Sequence, residues 1–373
     1  MNIELKRLSR PLKNIKVIHV SSTRQGGGVA EMLHFLIPAL NGLGLKVEWF
    51  VPKFTQEFFA ITKKFHNMLQ GLEQNITLDE LGYYLDTVKK VRVPKADLYI
   101  VHDPQVLPIN VDGPKVWRCH IQTTGYNKPL MNILLPYINT YNGAIWTDNS
   151  FVPEEVNIPV YTVSPCIDPR NVKNQIHTGK YAQYQLELPP NVPIISSVSR
   201  FDLHKNQKTT IEAFNKLNNT SAHLVVLGNF AVDDPEGGRV YSQLREFRTD
   251  NIHVRAIDDA RLVGSLNAVS DVFVHVSVKE GFGLVVSEAM IQGTPVIGSN
   301  VGGIPKQVLH GYTGWLVDPY DVEKIAFYMD YALSHSSDIK NIGRQCREWV
   351  MKNFVIENLI KDHLMIYQMF DRR

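Results

Sequence analysis

Two glutamates eight residues apart flank a glycine-containing turn in the C-terminal half of the chain. Glu280 and Glu288 lie in KEGFGLVVSEAMIQGTPVIGSNVGG (279–303), where the turn precedes a predicted helix. The backbone amides of such a turn and the positive end of the helix can bind a diphosphate, and the carboxylates can accept hydrogen bonds from ribose and hexose hydroxyls. The spacing therefore indicates a site for a sugar nucleotide.

Two cations follow the predicted strand VPIISSVSR. Arg200 ends this strand, and Lys205 lies in the next loop, FDLHKN. Because arginine offers a planar fork of donors and lysine a compact charge, the pair suits a diphosphate. The alternative is that both are solvated surface cations.

A glycine loop, SSTRQGGGVAEML, separates the first predicted strand from the first long helix pattern. Gly26, Gly27 and Gly28 let the backbone approach a ligand closely. Part of a dinucleotide-binding motif is present, with Glu48 in the next strand, but Glu31 occupies the position of the third glycine. An NAD-dependent oxidoreductase is thus an alternative with an incomplete motif, and a purely structural turn is another.

Strand and helix patterns alternate along the chain, which is typical of parallel sheets covered by helices on both faces. The first half contains the strand patterns IKVIHVSS, KVEWFVP, ADLYIVHDP, PKVWRCHI and GAIWTDNS, and a second series begins at VPIISSVSR. A chain of 373 residues suits two domains. We expect an N-terminal domain at 1–165, joined by a C-terminal helix at about 354–373, and a C-terminal domain at 166–353, with a linker over 161–174.

The composition is that of an ordinary globular protein, and the formal net charge of +2 gives no reason to expect a nucleic-acid partner. The three cysteines lack metal-binding spacing and indicate a reducing compartment. No signal-peptide pattern and no run of roughly 20 apolar residues is present. We therefore expect a cytoplasmic protein without a transmembrane segment, and a homodimer as the common default.

The motifs around the two glutamates occur in a recognisable order: GFGL, Ala-Met after the second glutamate, Gly-Thr-Pro-Val and Gly-Gly-Ile-Pro. This segment resembles the Glu-x7-Glu signature of the retaining glycosyltransferases of family 4. The segments GGGVAEML, TKKFHNMLQG, HDPQ, WRCHI, SPCIDP and SRFD resemble one branch of that family, the trehalose glycosyltransferring synthases, over most of the chain. The resemblance implies an α/β GT-B fold, with two Rossmann-like, doubly wound parallel-sheet domains facing a central cleft.

The resemblance also implies roles for individual residues. Arg200 and Lys205 would neutralise the departing nucleoside diphosphate, and Glu280 would hold the donor hexose. Glu288 would hold the ribose, and His120 would lie beside the hexose. The implied catalytic set is Arg200, Lys205, Glu280 and His120. Further donor-binding residues are Gly27, Gly28, Gly281, Phe282, Gly283 and Leu284. The implied acceptor side consists of His102, Asp103, Gln105 and Gln122.

One position departs from the resembled family. An acidic residue follows the WRCHI stretch there, whereas this chain has Gln122 in IQTTGYNKP. An amide removes a charge-assisted acceptor for sugar hydroxyls and adds a donor. The acceptor therefore stays open between free glucose, which would give trehalose, and another small hydroxyl compound such as an aminocyclitol, a sugar phosphate or a lipid-linked sugar.

The expected donor is UDP-, ADP- or GDP-glucose, with no other cofactor. No Asp-x-Asp triplet occurs in the sequence, so we expect catalysis without a metal ion. The resemblance implies front-face attack, in which the leaving phosphate accepts the proton of the acceptor. A glycoside hydrolase that uses Glu280 and Glu288 as its carboxylate pair is a weaker alternative, because the turn between them suits phosphate. A nucleotide-sugar-binding protein without turnover is a further alternative.

Overall fold

The computed structural model describes residues 3–25, 27–218, 221–230 and 237–371. These residues form two compact units. One consists of the described residues up to Pro165 and from Ile356 onward, and the other of those between Cys166 and Val355.

The N-terminal unit is built on a six-stranded parallel sheet in the order β2-β1-β3-β4-β5-β6. Its strands are β1 (Lys16–Val20), β2 (Lys46–Phe50), β3 (Leu98–His102), β4 (Lys115–Arg118), β5 (Gly143–Trp146) and β6 (Val160–Thr162). The chain reverses its direction of progress across the sheet between β1 and β3. Open α/β sheets bind ligands at the carboxyl ends of the strands at such a point.

The second unit repeats this architecture, with the strand order β12-β11-β10-β7-β8-β9 and parallel pairing throughout. Its strands are β7 (Ile194–Val198), β8 (His223–Gly228), β9 (Ile252–Ala256), β10 (Val272–His275), β11 (Val296–Ser299) and β12 (Gly314–Val317). Here the reversal lies between β7 and β10. The two parallel sheets confirm the predicted α/β class.

Helices connect the strands of both sheets. In chain order they are α1 (Ile3–Ser9), α2 (Gly27–Gly42), α3 (Gln56–Leu69), α4 (Leu78–Lys89), α5 (Lys128–Ile138), α6 (Lys180–Gln185), α7 (Gln207–Phe214), α8 (Gly237–Arg245), α9 (Ala260–Val269), α10 (Leu284–Ile291), α11 (Ile304–Gln307), α12 (Val322–Ser334), α13 (Ser336–Asn353) and α14 (Ile356–Phe370). The last helix, α14, contacts α1 and α2 and belongs to the N-terminal unit.

Both faces of the second sheet are buried, as the apolar strand patterns predict. Neighbouring residues of one strand enter different clusters: Ile195 and Val272 lie in one, and Ile194 and Phe273 lie in the other. This follows from the two-residue period of a strand, which points successive side chains to opposite faces. Helices therefore cover both faces of this sheet.

Two predicted boundaries are wrong. The linker expected from Tyr161 starts too early, because residues 160–162 form β6, which pairs with β5. The amphipathic pattern EWVMKNFVIENLIKDHLMIYQMF (348–370) predicts one helix, but α13 ends at Asn353 and α14 begins at Ile356. Between them Val355 bridges to Ile167, and Phe354 O accepts a hydrogen bond from the Ile167 amide at 2.9 Å. Backbone hydrogen bonding to a distant segment thus takes precedence over local helical periodicity.

Cys119, Cys166 and Cys346 are free, buried thiols. Burial raises the pKa of Cys119 and of Cys346, so both stay protonated. No helix in the described residues has the length and apolar character needed to cross a bilayer.

Candidate active site

Glu280 lies at the centre of a buried polar cluster in the second unit. Its Oε2 atom is 2.6 Å from Lys205 Nζ and 2.7 Å from His275 Nε2. The Ser277 hydroxyl is 3.3 Å from the same oxygen. The carboxylate therefore has a cation and two hydrogen-bond donors around one oxygen.

The protonation states of this cluster follow from burial and charge. Burial opposes the charged form of Glu280, but the Lys205 ammonium and the His275 ring hold the pKa of that carboxyl well below its ordinary value. Burial lowers the pKa of His275, although Glu280 opposes this shift. The cluster thus consists of an ionised Glu280, a charged Lys205 and a neutral His275 that donates from Nε2.

Residues after β7 and β10 bring this cluster together, because the two strands are parallel neighbours with carboxyl ends at the same sheet edge. Lys205 lies in a 3-10 turn at 203–205, and Asn206 follows it with φ of 54°. Asn206 Nδ2 donates to Val276 O at 3.1 Å, and the Val278 amide donates to His204 O at 2.9 Å. These bonds attach the Lys205 loop to the segment that leads to Glu280.

The backbone of the turn at 281–283 requires glycine at two positions, Gly283 and Gly303. Gly283 has φ of +80° and precedes the first residue of α10. Gly303 packs against the same turn, and a Cβ atom at this position would lie 2.6 Å from Gly281 O and 2.7 Å from Phe282 Cα. Only a residue without a side chain permits this approach.

The start of α10 leaves backbone donors available. α9 has a side-chain cap, since Asp259 accepts from two amides of its first turn, but α10 has no side-chain cap. The amides of Phe282, Gly283 and Leu284 donate no hydrogen bond to any of the described residues. An anion would satisfy these donors and interact favourably with the helix dipole.

Gln307 of α11 holds the turn from its carbonyl side. Its Nε2 atom donates to Phe282 O at 2.5 Å and to Gly283 O at 3.2 Å. Its Oε1 atom accepts from the Ser287 hydroxyl at 2.6 Å. The carbonyls of Phe282 and Gly283 are thus bonded within the protein, while the amides of Phe282, Gly283 and Leu284 have no hydrogen-bond partner among the described residues.

The backbone of Arg200 is held by a hydrogen bond, whereas its side chain has no partner among the described residues. Its carbonyl accepts from Gln207 Nε2 at 2.8 Å. Its guanidinium is half-buried and has no hydrogen bond or ion pair with the described residues. The side chain is therefore available to an anionic ligand.

Glu288 is paired with a residue that sequence analysis missed. Its Oε1 atom lies 2.6 Å from Lys173 Nζ, and the two side chains are 2% and 15% exposed. Gln292, at the end of α10, holds the lysine segment through a hydrogen bond from Nε2 to Gln175 O at 2.6 Å. Lys173 lies in a stretch without periodicity, so nothing in the sequence pointed to it.

The N-terminal unit contains a chain of hydrogen-bonded histidine rings at the carboxyl ends of β1, β3 and β4. His19 Nδ1 lies 2.9 Å from His102 Nε2, and His102 Nδ1 lies 2.9 Å from His120 Nε2. The Tyr367 hydroxyl of α14 lies 2.7 Å from His19 Nε2. His19, His102 and Tyr367 are buried, whereas His120 is partly exposed.

The hydrogen-bonded histidine chain changes the expected role of His102. Both of its ring nitrogens are bonded to other histidines and only 1% of its surface is exposed, so it does not present a donor or acceptor to a ligand in this structure. The prediction of His102 as a direct acceptor-binding residue therefore gives way to an indirect position behind His120. His19 and Tyr367 were not predicted, because a histidine and a tyrosine inside apolar patterns resemble ordinary core residues.

Burial dominates the electrostatics of the histidine chain. Desolvation lowers the pKa of His19, His102 and His120 well below the ordinary value, and neighbouring groups, including the Arg118 guanidinium, lower the pKa of His102 and His120 further. The three rings are therefore neutral at physiological pH.

Asp103 braces His120. Asp103 has φ of 61°, an uncommon backbone conformation for a residue with a side chain, and its Oδ1 atom accepts from the His120 amide at 2.7 Å. Gln122 is buried, and its Nε2 atom donates to Thr124 Oγ1 at 2.9 Å. Gln105 has a buried Oε1 atom without a hydrogen-bond partner in the described residues.

The structure describes two of the three glycines of the loop, Gly27 and Gly28. Gly26 lies outside the described residues. Gly27 has φ of +76° and starts α2, and a Cβ atom built on it would meet nothing within 4 Å among the described residues. Gly28 is exposed. The positive φ accounts for a glycine at Gly27, and the space beside it is compatible with a ligand.

Comparisons with known proteins show the family to which the chain belongs. The family model "Trehalose synthase, N-terminal domain" matches residues 19–153, and "Glycosyl transferases group 1" matches residues 182–349. Trehalose synthase of Rubrobacter xylanophilus is 32% identical over 98% of this chain and 92% of its own length. Trehalose synthase of Thermococcus litoralis is 33% identical over 98% and 93%.

A solved structure gives the same fold at lower identity. Sucrose-phosphate synthase from Thermosynechococcus elongatus superposes with a TM-score of 0.75 at 19% identity, over 95% of this chain and 99% of that chain. At 19% identity the solved structure establishes only the fold. The sequence relatives, at 32% and 33% identity, establish the family. The chain therefore belongs to the trehalose synthase family, a group of glycosyltransferases with the GT-B fold.

Proposed function

We propose that this glycosyltransferase moves a glucosyl group from a nucleoside-diphosphate glucose to free glucose and forms trehalose with retention of the donor's α configuration. The observation that carries the proposal is the cluster of Lys205, His275 and Glu280 beside the unpaired amides at 282–284. A sugar diphosphate has an anionic end and a hydroxylated end. The backbone amides of the turn suit the phosphates, and the Glu280 carboxylate suits the sugar hydroxyls.

The diphosphate would bind between side-chain cations and backbone amides. Arg200 has an uncommitted guanidinium, and Lys205 carries a charge held in place by Glu280. The amides of Phe282, Gly283 and Leu284 add fixed dipoles at the start of α10. Such preorganised donors stabilise the charge that develops on the leaving phosphate, which is usually the largest electrostatic contribution in this type of reaction.

The state of Glu280 argues against acid catalysis by this residue. A glycosidase acid needs a raised pKa so that it carries a proton at neutral pH, whereas the Lys205 ammonium holds the pKa of Glu280 below its ordinary value despite burial. An ionised carboxylate bonded to Lys205 and His275 suits the binding of a hexose hydroxyl. Glu288, buried beside Lys173, is proposed to hold the ribose.

The proposed reaction is front-face substitution. The bond between the anomeric carbon and the phosphate oxygen breaks, and the acceptor oxygen bonds to the same face of that carbon. The phosphate oxygen that leaves takes the acceptor's proton. This balance needs no covalent enzyme intermediate, and we propose that Arg200 and Lys205 supply the positive charge that a metal ion supplies in other transferases. Full activity in the presence of EDTA is the expected result, and activity that requires added magnesium or manganese would contradict it.

A second candidate acceptor follows from Gln122. This buried amide, bonded to Thr124, stands where the resembled family has an acidic residue. A neutral amide that donates and accepts suits a different arrangement of hydroxyls, so the same donor chemistry could serve an aminocyclitol, a sugar phosphate or a lipid-linked sugar.

The proposal is tested by a product assay that uses purified protein, UDP-, ADP- and GDP-glucose, and free glucose. Proton NMR identifies the disaccharide and its anomeric configuration. Formation of α,α-trehalose is the expected outcome. Donor hydrolysis without a disaccharide would indicate that the acceptor is an aminocyclitol, a sugar phosphate or a lipid-linked sugar. Donor binding without any turnover would contradict an enzymatic role.

A further inference from the structure

The buried groups behind His120 form one continuous hydrogen-bond chain. It runs from the Tyr367 hydroxyl through His19 and His102 to His120 Nε2, with separations of 2.7, 2.9 and 2.9 Å. Each neutral imidazole has one N–H and one lone pair, so each ring that donates to one neighbour must accept from the other. The whole chain therefore has two possible directions.

The end at Tyr367 distinguishes the two directions. The hydroxyl is fully buried, burial raises its pKa so that it keeps its proton, and its only hydrogen-bond partner among the described residues is His19. If His19 donated to Tyr367, the tyrosine proton would have no acceptor in the described interior. If Tyr367 donates to His19, every N–H inside the chain has an acceptor, and buried donors without acceptors are avoided in proteins.

We propose that Tyr367, His19 and His102 are positioning residues that hold His120 in the Nδ1–H tautomer, so that His120 presents a hydrogen-bond donor at the sheet edge. In this direction all three histidines carry their proton on Nδ1. His120 Nδ1 has no partner among the described residues. The opposite direction would present a lone pair there, which is a base instead of a donor.

The surroundings favour neutral rings. The Arg118 guanidinium and His363 interact electrostatically with the rings of His102 and His120, and Asp362 interacts with Arg118. His363 donates from Nδ1 to Leu359 O at 2.9 Å, so it also carries its proton on Nδ1. Arg118 is buried and repels a further positive charge. A proton added to the chain is thus disfavoured, and the tautomer is the variable that Tyr367 controls.

A fixed donor at His120 suits an oxygen of a bound sugar. A hydroxyl lone pair is recognised by an N–H, and a ring that cannot reverse its donor recognises only one orientation of that hydroxyl. This part of the inference rests on the proposed function. The direction of the chain does not, because it follows from contacts inside the N-terminal unit.

The direction is measured by NMR on protein labelled with 15N-histidine. The two ring nitrogens of each tautomer differ in 15N shift, and single His→Gln variants assign His19, His102 and His120 among the 13 histidines. We expect all three rings as Nδ1–H in the wild type. Nε2–H tautomers at these positions would overturn the proposal without any reference to activity.

Two matched variants test the role of Tyr367. Tyr367→Phe removes the donor, after which either direction leaves one nitrogen of His19 unpaired, so the preference should weaken at all three rings together. Tyr141→Phe is the control, since Tyr141 is a buried tyrosine of the same unit that donates to Leu107 O at 2.6 Å. An unchanged tautomer at His120 in Tyr367→Phe would overturn the inference.

Enzyme kinetics test whether the histidine hydrogen-bond chain affects glucosyl transfer. We expect kcat/KM to fall about five- to tenfold in Tyr367→Phe, the size of one lost hydrogen bond, and to stay at the wild-type level in Tyr141→Phe. Equal losses in the two variants would indicate a general packing effect and contradict the proposal. If the wild type transferred no sugar at all, the proposed function would fail. The NMR result would still determine the direction of the histidine hydrogen-bond chain.

Discussion

Lys173 Nζ and Glu288 Oε1 lie 2.6 Å apart, and Glu288 is almost completely buried. Lys216 and Glu323 form an ion pair with the same separation, but their side chains are 47% and 77% exposed. Because the two ion pairs have the same N–O distance but different exposure, a comparison of their contributions to stability isolates the effect of burial. A buried carboxylate that loses its cation has no water to replace it.

Lys173→Met should therefore lower the free energy of unfolding by about 3 kcal/mol, the usual effect of breaking a buried pair. Lys216→Met should lower it by less than about 1 kcal/mol, because water screens the exposed pair. Urea denaturation of both variants gives the comparison. Equal losses would show that burial does not determine the strength of the Lys173 pair.

Glu280→Gln tests the charge of the central carboxylate. The amide keeps the shape but loses the ionic partner of Lys205, so both the hexose contact and the position of the lysine change. We expect kcat to fall by about 10² to 10³, in the range seen when one preorganised electrostatic group is removed. Glu323→Gln, in an exposed ion pair, is the control in the same transfer assay. Wild-type turnover in Glu280→Gln would remove this residue from the site.

Gly303→Ala tests the turn geometry. A Cβ atom would lie 2.6 Å from Gly281 O, which forces the 281–283 turn to move and displaces its amides. Calorimetric titration with a nucleoside diphosphate should show at least about tenfold weaker binding, equivalent to about 1.4 kcal/mol. Gly82→Ala in α4 meets nothing within 4 Å among the described residues and should bind normally, with stability equal to or up to about 1 kcal/mol above wild type. Unchanged binding in Gly303→Ala would argue against a diphosphate at these amides.

His363 predicts a pH dependence of stability. Burial lowers its pKa from 6.5 to about 4, so the unfolded chain takes up a proton at a higher pH than the folded protein does. The stability linked to this group is fully present above about pH 6.5 and is lost as the pH falls towards 4. The total loss is about 3 kcal/mol, since each pKa unit corresponds to about 1.4 kcal/mol.

His363→Gln isolates this contribution. The variant cannot titrate at this position, so the difference in unfolding free energy between wild type and variant should change by about 3 kcal/mol between pH 7 and pH 4. Denaturant unfolding at several pH values measures it. A difference that stays constant with pH would exclude a buried, neutral His363 as the cause.

Residues close to strand ends were accessible from the sequence. Arg200 and Lys205 follow β7, and Glu280 follows β10, so a parallel sheet brings their loops to one edge. The structure places Lys205 beside Glu280 at hydrogen-bond distance. The partners His275 and Lys173 were missed, because one is an internal residue of an apolar strand pattern and the other lies in an irregular segment.

The sequence by itself determined the α/β class, the alternation of strands and helices, and the glycine turn between the two glutamates, because these depend on local periodicity and on backbone conformations that few residues adopt. Only the tertiary structure decided which side chains pair. Tyr367 reaches His19 because α14 returns to the N-terminal unit, and Glu288 meets Lys173 because α10 docks on a distant loop. Such pairs carry no local signal, since burial and charge neutralisation act between residues that the folded chain brings together and the linear order keeps apart.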